Sequence, residues 1–238
     1  MVLGVVDVQH RGIAVSLQRL RPEEVNPFLL ENDVPRALIT VDSGEEVTFR
    51  RNRHQTGRME PPALEEEVKS SFLMAVRYAT WIGPIRRKEP VLLGMRMLED
   101  ESGPFPQLRQ GSLFGATALL LMQESERGEI SEDLRWADSV NAAVRGTQLQ
   151  RIAVSAAFDP WSGEFKKVES LENKLDALAR LHTPPAAVVL AQEQDDQLHE
   201  LSLPFLLVHS SDPIRAYKKL FELQTLDTVF GSAQLRKK

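Results

Sequence analysis

The chain has 238 residues, 42% of them hydrophobic and 26% charged, the composition of a globular protein with a core of its own. Its 29 basic and 34 acidic residues leave a formal net charge of −5, so there is no global attraction to nucleic acid or to an anionic membrane. It contains no cysteine, which excludes disulfides, thiolate metal sites and a cysteine nucleophile.

The first residues, MVLGVVDVQHRG, show no basic region followed by a long apolar core, and no apolar run approaches ~20 residues. The expectation is a cytoplasmic chain without a membrane span. VLGVVDV and GIAVSLQ are β-rich and separated by QHRG, which predicts a hairpin. RLRPEEVNPFLLENDVP reads as a Pro-rich irregular connection. RALITV and EEVTFRR flank the turn signal DSG and predict a second hairpin. In PALEEEVKSSFLMAVRYATW, Leu64, Val68, Phe72 and Val76 recur at helical spacing behind two prolines and three glutamates.

PVLLGMRM reads as a strand and EDESGPFPQLRQG as a long polar loop. SLFGATALLLMQ is an almost wholly apolar helix, and so a buried one. SEDLRWADSVNAAVRG predicts a helix capped by Ser131 and stopped at Gly146. Strand and helix then alternate. RIAVSAAF is a strand, FDPWSGEFKKV holds a turn, and ESLENKLDALARLH is a helix with Leu171, Leu175 and Leu178 on one face. AAVVLAQ and LPFLLVHS are strands. DPIRAYKKLFELQ is a last helix, with Asp212 as cap and Pro213 at the first helical position. A β-rich opening followed by mixed elements predicts an α+β fold built on a mixed sheet. The expectation is one domain over residues 1–238, with a β-rich part at 1–60 and the mixed core at 61–230.

The stretches RQGSLFGATALLLM, RIAVSAAFDPWSGEFKKVESLENKLDALARL, AAVVLAQEQDD and LPFLLVHSSDPIRAYKKLF follow one another in an order that resembles the proteolytic domain of Lon-type ATP-dependent proteases. The resemblance covers about two thirds of the chain, from about Leu64 to Gln224, and implies a Lon-proteolytic-domain-like mixed sheet with packed helices. In that family a serine at the head of an apolar helix, within D-G-P-S-A-G, is the nucleophile, and a lysine on a later helix is the general base. SGEFKKVESLENKLDAL carries the best local match and places Lys174 at the catalytic lysine.

Other positions depart from the pattern. Aligning Gly111 and Gly115 with the two motif glycines puts Ser112 at the proline and Leu113 at the nucleophile. Gln110 stands for the aspartate, and Ser155 falls near the family threonine, followed by Ala156 and Ala157 where an acid is expected. Glu169 and Ser170 replace the paired glycines. The chain has no Walker-type phosphate loop and hence no ATPase of its own.

In a Ser-Lys dyad a neutral lysine takes the serine proton, so the lysine must fall from its reference pKa of ~10.4 toward ~7–8 by desolvation. Lys174 lies at the edge of an apolar face. It either snorkels to water or points into the pocket that the resemblance implies. Ser112, just before an apolar helix, is a helix cap, and a cap can also be a nucleophile reached by a one-residue shift of register. Ser155 reads as a strand residue beside that pocket.

Two functions follow. One is a degenerate Lon-like module that binds a peptide or protein through a groove formed by Gly111, Leu113, Phe114 and Ser155. The other is an active Ser-Lys peptidase using Ser112 and Lys174. A structural or oligomerisation role is the third reading. No cofactor is called for. His10, His54, His182, His199 and His209 show no ligand spacing, so no metal is expected. FRRNRHQTGR, residues 49–58, is locally basic and reads as a solvated loop, not as a nucleic-acid patch. The partners expected are a protein or peptide and, from the resemblance, a second copy of the chain or a separate ATPase or effector; neither nucleic acid nor membrane is expected.

Overall fold

A computed structural model describes residues 2–8, 11–31, 36–42, 46–51, 66–81, 90–98, 113–124, 152–159, 162–194 and 202–230. The fold is α+β. One eight-stranded mixed sheet is covered by helices on both faces, and a two-stranded ribbon lies beside it. The strand pairs of both expected hairpins form, while residues 9–10 and 43–45 of their turns lie outside the described residues. β1 (Val2–Val8) pairs antiparallel with β2 (Arg11–Arg19), closing at Val8 opposite Arg11. β3 (Arg36–Val41) pairs with β4 (Val47–Arg51).

The connection between the hairpins corrects the reading of an irregular segment. It contains a 3-10 turn at Pro22–Glu24 and a short helix α1 (Val25–Leu30). Pro22 and Pro27 do not break these elements. Each falls in a first turn, where backbone N–H groups have no intrahelical acceptor and a proline costs little. Phe28 of α1 is buried with Leu20 and Leu38, and a Cβ added at Gly94 would lie 2.8 Å from its ring.

Helix α2 (Glu66–Trp81) buries Val68, Phe72, Ala75 and Ala79, and Val76 packs beside them half-buried. β5 (Val91–Met97) lies between β2 and β3, antiparallel to both. Helix α3 (Leu113–Glu124) is apolar on every side and is buried from Leu113 through Met122, as its composition demands. RIAVSAAF is not one strand. β6 (Ile152–Ser155) joins the large sheet, and after Ala156 the chain turns into β7 (Ala157–Asp159), which pairs with β8 (Glu164–Lys166). Gly163 closes that ribbon at φ +73°, the left-handed region where glycine is at ease. Uniform β propensity over the whole run hides the change of partner.

Helix α4 (Leu171–Arg180), β9 (Ala187–Ala191), β10 (Leu206–Ser210) and helix α5 (Pro213–Phe230) complete the described chain. Asp212 caps α5 as expected: its Oδ1 accepts the Arg215 N–H at 2.8 Å. The sheet order is β10-β9-β6-β1-β2-β5-β3-β4. β1, β6, β9 and β10 are parallel, so their carboxyl ends share one edge. The amino-terminal hairpin therefore sits in the middle of the sheet, joining the parallel half to the antiparallel half.

Alternation along the strands divides the core into two layers. α2, α3 and α5 cover a layer that includes Val2, Val15, Val154 and Val189. α4 covers the other, with Leu3, Val5, Ala14, Ala153, Val188 and Leu190. Among the described residues, no helix is long and apolar enough to cross a membrane. The expected helix at 131–146 and the loop at 99–111 lie outside the described residues.

Candidate functional site

Helix α4 is strongly amphipathic and rests Leu171, Leu175 and Leu178 on the sheet. It sits very close. A Cβ added at Gly12 of β2 would lie 2.5 Å from the Asn173 carbonyl oxygen and 2.8 Å from the Lys174 Cα. That approach turns Lys174 inward. Its exposure is 0%, so it does not reach water as a snorkelling lysine would. The helix is entered through Ser170, which holds φ +52° and ψ +36° and makes no side-chain cap bond. A left-handed serine is strained by about 1–2 kcal/mol, so the surrounding structure imposes the conformation.

Ser155 ends β6. It alternates with Val154 of the α3 layer and stands in register with Leu190 of the α4 layer, which places it on the α4 side. Its exposure is also 0%, and its Oγ has no hydrogen-bond partner among the described residues. Buried polar atoms are rarely left this way in a region built for packing alone. Lys174 and Ser155 thus occupy one layer. Their supporting strands, β2 and β6, flank β1 and lie about 10 Å apart by ordinary strand spacing.

The other proposed residues separate. Gly111 and Ser112 lie outside the described residues. Leu113 is the first residue of α3 and is fully buried; a Cβ added at Gly4 of β1 would lie 2.7 Å from its Cδ2. Leu113 belongs to the α3 layer, so the sheet separates it from Lys174 and Ser155. Phe114 follows it and stacks on Phe158 of β7, with ring centroids 3.5 Å apart and planes inclined by 13°.

Tyr78 meets both rings edge-on, at 5.9 Å and 6.1 Å, and Trp81 lies 6.3 Å beyond Tyr78 at the end of α2. Trp81 is 80% exposed, so this aromatic series runs from solvent to the first turn of α3. Sequence reading passed over Phe158 and Tyr78. Their only signal was aromatic character, which a core shares. Burial, followed by the negative charge of Asp212, raises the Tyr78 phenol well above its usual pKa; the Ile214 N–H offsets part of this.

Further polar contacts fix the loops around the site. The Gln194 side chain accepts the Val168 N–H at 3.0 Å and donates to the Val168 carbonyl at 3.5 Å, tying the entry of α4 to the end of β9. The Ser211 carbonyl accepts the Phe165 N–H at 2.6 Å, holding the ribbon against the start of α5. Among the described residues, no group of three or more His, Asp or Glu side chains could hold a metal ion. Compared with known protein families the chain matches none, and no curated protein matches it either.

Proposed function

We propose that this chain is a degenerate Lon-protease-like module that holds a peptide or protein segment without cutting it. Leu113 is the observation that carries the reading. In the register of the Lon resemblance it stands at the nucleophile, and it is a fully buried packing residue against Gly4. A hydrocarbon there cannot attack a carbonyl, and the lost aspartate, acid and paired glycines agree with retirement of the chemistry. Three features support the reading: an apolar helix over β1 and β6, a tightly docked α4, and a left-handed backbone at Ser170, where the resemblance has a glycine. The aromatic series from Trp81 to Phe114 offers apolar surface to a bound segment. Association with further copies or with a separate ATPase or effector belongs to the same proposal and rests on the resemblance.

A second reading, an active Ser-Lys peptidase using Ser112 and Lys174, is favoured by one observation. Lys174 is wholly buried, and a lysine that serves as a general base is one held out of water. Casein and labelled-peptide cleavage by the purified chain, beside Ser112→Ala and Lys174→Ala, decides between them. The expected result is no cleavage by any of the three, with labelled peptide retained by the wild-type chain. Cleavage lost in both variants would overturn the binding-module reading and establish the shifted dyad.

A further inference from the structure

We draw no further inference here: the strongest candidate, the side-chain cluster of Ser16, Arg96 and Arg36 that crosses β2, β5 and β3 in one row as a place for an anion, carries nothing because Arg36 is already paired with Glu31 and lies over the Phe28 ring, and Arg96 is engaged by other groups of the chain.

Discussion

Helices α3 and α4 approach the same hairpin from opposite faces, and each comes down on one of its glycines. α3 brings Leu113 over Gly4, and α4 brings the backbone of Asn173 and Lys174 over Gly12. The resemblance ends there. α3 is almost wholly apolar and is buried from Leu113 through Met122, with Thr117 enclosed among its apolar side chains, so the hydrophobic effect accounts for most of its position. α4 is half solvent-facing and yet places its lysine under the sheet-facing surface at 0% exposure. Packing explains the leucines of α4 and leaves Lys174 unexplained. Ser155, on the α4 side, is buried with an Oγ lacking a hydrogen-bond partner among the described residues, and so is Thr117 of α3 on the other side; the buried lysine is what sets the α4 side apart.

The largest expected effect tests that burial directly. In acetylation at mildly alkaline pH, read by peptide mass spectrometry, exposed Lys167 should react quickly. Lys174 should react only through opening of the structure, about 1,000-fold or more slowly. Comparable rates at the two lysines would mean that Lys174 reaches water, and the contrast between the helices would collapse.

Next in size is the pair of glycines. Gly12→Ala forces backbone atoms of α4 apart from β2 and should destabilise by about 3 kcal/mol in urea titration. Gly4→Ala meets the end of the Leu113 side chain, which can turn aside, and should cost about 1 kcal/mol. The order of the two carries the argument. If Gly4→Ala is the more damaging, α3 and not α4 is the rigidly held helix. Gly12→Ala should also speed the labelling of Lys174.

Most of this framework could be read from the amino acids. Hairpins, the α2 and α3 helices, the α4 leucines and the Asp212 cap are local signals, set by spacing and by residues a few positions apart. The inward turn of Lys174 was not readable, because a helical wheel puts it at the rim of the apolar face. Which way the rim falls is decided by Gly12, far away in the chain, whose missing Cβ lets α4 sink. The split of RIAVSAAF between two sheets has the same origin: propensity reports that a residue is extended, not which strand it pairs with. Helix α1 was missed for the opposite reason, since prolines that end helices in their interiors are harmless in their first turns. Lys174 and Ser155 were singled out through the Lon resemblance, and their common layer emerged only from sheet register.

A smaller effect sharpens the α4 side. Ser170→Gly removes a left-handed non-glycine residue at the entry to α4. The variant should be more stable by about 1 kcal/mol, with relief of strain partly cancelled by the extra freedom of the unfolded chain. Ser170→Ala keeps the Cβ and should give no such gain. A loss of stability in the glycine variant would mean that the serine side chain does more for α4 than the backbone strain costs.

The smallest effect at neutral pH belongs to the α3 side. The Tyr78 phenol is held above its usual pKa by burial and by Asp212, so the folded chain keeps this proton when the unfolded chain begins to lose it near pH ~10. Above that pH the native state binds more protons than the unfolded state, and stability must fall as pH rises, by at most about 1.4 kcal/mol per pH unit from this group. Below pH ~10 the two states hold the proton equally and the contribution is constant. Tyr78→Phe loses the bond from the Ile214 N–H and should cost about 1 kcal/mol at pH 7. Its stability should then decline less steeply than the wild type above pH ~10 in urea titrations run at stepped pH. Parallel curves would show that Tyr78 ionises as freely in the folded chain as in the unfolded one. Burial and the Asp212 charge would then have no energetic consequence for the phenol proton, and Tyr78 would contribute only its packing and the bond from Ile214.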